Sequence, residues 1–185
     1  MPSIQRTSVR WLAAALALVA NLALAAECDM QLSSREVNYG ALYRGELTTG
    51  AAMSAIALGK RQLTLTVACR QPTAMGLRFD ATPAGEDAYR FARQGAFTVR
   101  LHDATLDGRP VQLASRSANG DTGSPSGAAQ MKPGGVVVTA AEGAEATGKV
   151  FTVQVEIDTR IDDAATRARD ISVLEGHGSF HLVPR

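Results

Sequence analysis

The chain has 185 residues, of which 19 are Lys or Arg and 18 are Asp or Glu, so its formal net charge is +1. This length fits a single domain that can bury a sizeable core. Phosphate binding requires concentrated positive charge, and because the basic residues form no run, we expect no nucleic-acid partner.

The N-terminal segment is typical of a signal peptide. Two Arg residues precede an apolar run from Trp11 to Ala26, which is too short and too rich in Ala for a membrane span. It ends in the small-x-small pattern Ala23-Leu24-Ala25. We therefore expect residues 1–25 to be removed on export, leaving residues 26–185 as a single domain with a charge of about −1 and no membrane span.

Both cysteines lie after the predicted cleavage site. An exported chain with only Cys28 and Cys69 can form one intramolecular pair, so we predict a disulfide between them. A redox or metal site would require a second nearby cysteine, as in Cys-x-x-Cys. The sequence contains no such pair, and we expect neither a metal nor a cofactor.

Strand patterns dominate the rest of the chain. The clearest alternation covers Gln62–Cys69, where Leu63, Leu65, Val67 and Cys69 share one face, and Phe151–Asp158 repeats it. Cys69 is therefore expected to point into the core. In chain order the predicted strands are Met30–Tyr39, Gln62–Cys69, Met75–Asp80, Ala96–His102, Gly135–Thr139, Phe151–Asp158 and Ser179–Val183.

Turn residues separate these strands. Gly and Pro cluster at residues 82–85, 107–110 and 132–135, where we expect turns. The polar stretch Ser115–Gly127 is predicted to be a mobile surface loop, and Ile161–Asp170 fits either a helical turn or a charged loop. Seven to nine short strands with this spacing predict an all-β, antiparallel β-sandwich.

Two motifs that suggest catalysis or metal binding are incomplete. Gly120-Asp121-Thr122-Gly123-Ser124-Pro125 resembles the nucleophile loop of chymotrypsin-like proteases, but Thr122 replaces the nucleophile and only His102 lies upstream. His177 and His181 are four residues apart, which on a strand means about 13 Å. We therefore predict that the protein is not an enzyme, with no catalytic residues, and that these histidines are solvated.

Four segments resemble a known family when taken together. They are Glu27-Cys28, then Val37-Asn38-Tyr39-Gly40, then Leu63-Thr64-Leu65-Thr66-Val67-Ala68-Cys69 followed by Gln71-Pro72-Thr73, and last Gly178-Ser179-Phe180-His181-Leu182-Val183. In this order they resemble the DUF1120 family of exported bacterial proteins, which are similar to fimbrial subunits of chaperone-usher systems. The resemblance implies an immunoglobulin-like, pilin-like sandwich bonded through Cys28 and Cys69, located in the periplasm or in a surface fimbrium.

The resemblance also implies a partner. A pilin-like sandwich that lacks one strand exposes an apolar groove, which a periplasmic chaperone and usher or a neighbouring fimbrial subunit fills by strand addition. Phe180 and Leu182 alternate as a partner-docking strand would, although Pro184 stands where pilins commonly place Tyr. Because proline has no backbone N–H, we expect Pro184 to be unable to complete a ladder there. After cleavage only Ala26 and Glu27 would precede Cys28, which favours a terminal or accessory subunit in cell adhesion over a polymerising one.

The sequence therefore predicts a non-enzymatic envelope protein that acts by strand-edge contacts. The alternative is a self-complete binding module for a carbohydrate or small ligand, which would use the loop Ser115–Gly127.

Overall fold

A computed structural model of the chain describes residues 28–42, 55–163 and 173–184. The predicted signal peptide, residues 1–25, lies outside these ranges. So does the part of the predicted segment 161–170 that follows residue 163.

The described residues form eleven strands and no α-helix, which confirms the predicted all-β class. All the ladders between these strands are antiparallel. In chain order the strands are β1 (Cys28–Leu32), β2 (Ala55–Ala81), β3 (Tyr89–Phe91), β4 (Gly95–Leu106), β5 (Arg109–Pro110), β6 (Gln112–Arg116), β7 (Ala128–Met131), β8 (Val136–Ala141), β9 (Ala144–Glu145), β10 (Thr147–Asp162) and β11 (Gly178–Pro184).

The long strand β2 organises the sheet. Its first part pairs with β1 and β10, and its last part pairs with β11 and β8. Through it the strands join in the order β3-β4-β10-β2-β8-β6, as one curled antiparallel sheet. The immunoglobulin-like or pilin-like arrangement of two packed sheets stays a prediction.

Two of the predicted strands are one strand in the structure. Gln62–Cys69 and Met75–Asp80 both belong to β2, which continues through Pro72. The ladder to β10 shifts register at this point, because Ala68 lies opposite Val150 and Thr73 lies opposite Gly148. Pro72 falls within the interruption, where its missing N–H breaks no ladder hydrogen bond.

The core contains most of the residues that alternation predicts to point inward, and Leu63 is half-buried and packs against it. Leu65, Val67, Val153 and Val155 each have 0% exposure, and Phe151 has 1%. Burying a side chain of this size stabilises the fold by about 1.5–3 kcal/mol. Among the other predicted inward residues, Leu77, Phe79, Phe97, Val99 and Leu101 are also buried.

The turns predicted at residues 82–85 and 132–135 separate strands, whereas the turn predicted at 107–110 is confined to its first two residues, because Arg109–Pro110 is β5. The hairpin between β4 and β5 has positive φ values at Asp107 (50°) and Gly108 (76°). Two successive residues with positive φ give a type I′ turn, whose twist matches the twist of the flanking strands. An Asp-Gly pair favours this turn because both residues tolerate the left-handed conformation.

Several predicted boundaries were wrong. β1 ends at Leu32, and residues 33–42 are irregular, so the strand predicted to reach Tyr39 is much shorter. Tyr39 packs edge-on against Phe91 and donates a 2.8 Å hydrogen bond from its hydroxyl to Thr159 Oγ1, which fixes this segment without a ladder. The helical turn or loop was predicted to begin at Ile161, but β10 continues to Asp162, so that predicted start is too early.

The predicted loop Ser115–Gly127 is shorter than expected and is tied to the sheet. Ser115 and Arg116 belong to β6. Backbone hydrogen bonds from Gly123 N to Ser115 O (2.8 Å) and between Leu113 and Ser126 hold the remainder against that strand. Residues 117–127 are exposed, as predicted.

Candidate functional site: the β1/β11 edge

The disulfide joins β1 to β2, as predicted. Cys28 lies directly opposite Cys69 in the antiparallel register, and their sulfur atoms form a bond of 2.07 Å. Cys69 is 8% exposed, and it therefore points into the core in phase with Leu65 and Val67. The bond attaches the short strand β1, which has five residues, to the longest strand of the fold.

The inward face of β1 is incompletely covered. Met30 lies opposite Val67, and Leu32 lies opposite Leu65. Both β2 residues are fully buried, whereas Met30 and Leu32 pack against the core but remain half-buried. Side-chain burial therefore decreases across a single strand spacing, from β2 to β1 at this margin of the sheet.

β11 repeats this decrease in burial. The predicted docking residues Phe180 and Leu182 lie opposite Phe79 and Leu77, which are 6% and 1% exposed. Phe180 packs on Phe79 with 4.8 Å between the ring centroids, yet Phe180 and Leu182 are only half-buried. The structure therefore places both predicted residues on the inward face of a strand, beside the core and still partly open to solvent.

β8 and β10 lie along the same edge of β2. β8 pairs with β2 at Gly76, and the ladder of β10 begins at Ala74. The chain segment between these two ladders leaves β2 and returns to it. A 3.0 Å hydrogen bond from Ala146 N to Thr139 O joins the two ends of this segment. Strands on opposite edges of β2 would lie about 10 Å apart, which such a hydrogen bond cannot span.

β1 and β11 therefore share the other edge of β2. In the described residues each pairs with β2 alone, so its second backbone edge has no ladder partner there. Cys28 lies opposite Cys69 and Pro184 lies opposite Met75, so only the irregular part of β2 between these residues separates the two ends. We name Cys28–Leu32 and Gly178–Pro184 together the β1/β11 edge.

The predicted interruption at Pro184 is smaller than expected. We expected this residue to be unable to complete a ladder, but β11 keeps its register as far as Pro184, opposite Met75. A proline still accepts hydrogen bonds through its carbonyl, and it loses only the donor of its pair.

The core behind β11 is aromatic and neutral. Phe79 contacts Tyr89 at 4.9 Å and Phe97 at 6.0 Å between ring centroids. Burial, followed by the negative charge of Asp80, raises the pKa of Tyr89 to about 12. The Tyr89 hydroxyl therefore stays protonated and donates a 3.3 Å hydrogen bond to Phe79 O.

The outward face of β11 is polar. Ser179 and His181 are exposed, and the Ser179 hydroxyl lies 2.9 Å from His181 Nε2. His181 Nε2 is also 3.5 Å from Asp80, whose carboxylate pairs with Arg78 at 2.9 Å. A strand added beside β11 would thus meet an apolar face on one side and hydrogen-bonding groups on the other.

The residues of the two incomplete motifs have different partners in the structure. The Thr122 hydroxyl accepts a hydrogen bond from Arg116 Nε, whereas His102 contacts Asp103 and Gln62. The His177 side chain is 87% exposed. Within residues 28–42, 55–163 and 173–184, no three His, Cys, Asp or Glu residues form a group able to hold a metal ion.

The same ranges contain no helix that is long and apolar enough to cross a membrane.

Sequence reasoning missed the β1 half of this edge. Met30 and Leu32 alternate with polar residues, which is the signal that identified Phe180 and Leu182, but a predicted strand reaching Tyr39 obscured it. Their partial exposure depends on which strand lies beside β1, and a local pattern carries no such information.

Comparison with known proteins adds no family assignment. No family model matches the chain, and no curated protein does either. The resemblance to the DUF1120 family stays a prediction.

Proposed function

We propose that the chain is a non-enzymatic protein of the bacterial cell envelope that acts through protein–protein contacts along the β1/β11 edge. In this proposal it is exported to the periplasm by its signal peptide. A periplasmic chaperone, and then an usher or a fimbrial subunit, adds a strand there. The chain would serve as a terminal or accessory fimbrial subunit in cell adhesion.

The observation that carries this proposal is the abrupt decrease in burial at the edge. Four inward-facing apolar residues, Met30, Leu32, Phe180 and Leu182, are half-buried although their direct neighbours on β2 are buried. A strand whose inward face is apolar and whose outer backbone groups are unpaired is a template for strand addition. An added strand with alternating apolar residues would cover these side chains and pair with the free backbone edge.

The position of the disulfide supports the same proposal. It fixes β1 at the end nearest β11, where Cys28 is attached to Cys69. A short edge strand of five residues would otherwise be displaced easily by a competing strand. The bond therefore keeps the edge available to a partner without loss of β1.

Coexpression tests this proposal. The full chain is exported to the periplasm with and without a coexpressed chaperone of the chaperone-usher class, and soluble yield and mass are measured by size-exclusion chromatography. We expect the chaperone to raise the soluble yield several-fold and to elute with the chain. Equal yields, with a monomeric and soluble chain in both cases, would contradict the proposal.

A further inference from the structure

A cleft whose lining is mostly apolar but includes several charged side chains lies on a different part of the fold from the β1/β11 edge. Its volume is about 320 Å³, within the range of small-ligand sites. The end of β6, the following loop and the turn between β7 and β8 form its walls, and Val136 and Val137 contribute to its apolar surface. The alternative function expected from the sequence, a ligand-binding module, would use this region.

The loop that borders the cleft is held in place. Ser117 N donates to Asp121 O at 2.9 Å, and Gly120 N donates to Ser117 O at 3.0 Å. On the opposite wall, Gly135 N donates to Lys132 O at 3.0 Å and closes the turn. Groups fixed before binding lose little entropy when a ligand arrives.

The polar side chains of one wall are also positioned in advance. Gln130 Nε2 donates to Asp87 O at 2.8 Å, and Lys132 Nζ pairs with the Asp87 carboxylate at 2.6 Å. The hydrogen bond to Asp87 and the charge of that carboxylate raise the pKa of Lys132, and the charge of Glu86 adds to the effect. Lys132 is therefore protonated, but its positive charge is already matched.

Arg116 and Asp121 line the cleft with opposite charges but do not form an ion pair with each other. Arg116 Nε donates to Thr122 Oγ1 at 3.0 Å, which fixes the guanidinium. In the described part of the chain its Nη groups have no hydrogen-bond partner, and neither has the Asp121 carboxylate. A planar fork of donors suits a carboxylate, and a carboxylate suits an ammonium group.

From this arrangement we propose that the cleft binds a small zwitterion, an α-amino acid or the end of a short peptide. The ligand carboxylate pairs with Arg116, and the ligand ammonium group pairs with Asp121. This inference is independent of the strand-edge proposal, because the residues concerned belong to neither β1 nor β11.

The charges of the cleft disfavour other ligands. Because Asp87 already matches Lys132, Glu86 and Asp121 remain against Arg116, so a phosphate or another dianion would meet more repulsion than attraction. Among the described residues, those lining the cleft include no aromatic side chain on which a sugar ring could stack. A ligand that carries one charge of each sign matches the arrangement.

Three related probes test the proposal by NMR on the full ¹⁵N-labelled chain. L-alanine carries both charges, N-acetyl-L-alanine keeps the carboxylate alone, and L-alaninamide keeps the ammonium group alone. We expect L-alanine to shift the amide resonances of Ser117, Gly123 and Gly135 with a Kd on the order of 1 mM. Each single-charge analogue should bind about tenfold more weakly, because it loses one charge-assisted hydrogen bond.

Matched variants locate the site. Arg116→Gln should weaken L-alanine binding by about tenfold, whereas Arg109→Gln, an exposed arginine of β5 that does not line the cleft, should leave it unchanged. If Arg116→Gln disturbs folding, Asp121→Asn in the exposed loop provides the same test. The proposal is overturned if ~50 mM L-alanine shifts none of these resonances, or if all three probes bind equally.

Discussion

Phe180 on β11 lies directly opposite Phe79 on β2, with 4.8 Å between the ring centroids, yet Phe79 is 6% exposed and Phe180 is half-buried. Within one strand spacing, the sheet changes from a packed core to an open margin. Met30 and Val67 have the same relationship at the other part of the β1/β11 edge.

Truncating Phe180 tests its contact with the core. Phe180→Ala should lower the free energy of unfolding by about 2 kcal/mol, less than for a fully buried Phe, because part of the ring is already solvated. Ser179→Ala, on the exposed face of the same strand, should change it by less than about 0.5 kcal/mol. Urea denaturation of both variants measures this, and equal effects would contradict the assigned faces of β11.

Removing the disulfide tests how strongly it holds β1. The bond closes a loop with a sequence separation of 41, so Cys28→Ser/Cys69→Ser should lower the free energy of unfolding by about 4 kcal/mol in the chain-entropy model. The same loss should appear when the unsubstituted chain is unfolded in urea with a reductant. Unchanged stability after complete reduction would show that β1 needs no attachment.

Adding a methyl group at Gly76 tests the close packing at the centre of the sheet. A Cβ there would lie 2.9 Å from Val136 Cγ1 and 3.2 Å from Val183 O, so Gly76→Ala must displace β8 or β11. We expect a loss of about 1–3 kcal/mol in unfolding free energy. The matched control is Gly127→Ala, where nothing lies within 4 Å and no comparable loss is expected.

The pair formed by Lys60 and Glu156 predicts a pH dependence. Their side chains are 2.9 Å apart, and this hydrogen bond lowers the pKa of Glu156 below its ordinary value of 4.5. Because the folded-state pKa is the lower one, the stabilisation is fully present above pH 4.5 and disappears as pH falls through the folded-state value. Lys60→Gln should therefore be less stable than the unsubstituted chain at pH 6, with the difference vanishing at low pH.

Thermal unfolding of both chains between pH 3 and pH 6 measures this dependence. A stability difference that is constant over the range would contradict the assignment.

The local pattern of the sequence was enough to predict the main strands. Alternation identified the inward faces of β2 and β10, and the presence of only two cysteines in a predicted exported chain identified the Cys28–Cys69 bond. The joining of two predicted strands through Pro72 could not be predicted, because it depends on a register shift in the ladder with β10, which lies far along the chain.

The short strands and the open edge depended on information that the sequence does not hold locally. β5 and β9 have two residues each and exist only because tight hairpins return the chain beside β4 and β8. The partial exposure of Phe180 and Met30 results from which strands lie next to β11 and β1. Pairing between strands that are far apart in the sequence depends on the whole sheet, whereas alternation depends only on neighbouring residues.

Hydrogen exchange in the chaperone-bound chain tests the strand-edge account most directly. The account predicts that amides in residues 28–32 and 178–183 exchange at least about tenfold more slowly in the complex than in the free chain, while those of β7 do not change. Unchanged exchange along both β1 and β11 in a complex that does form, or slowing spread evenly over the whole sheet, would contradict it.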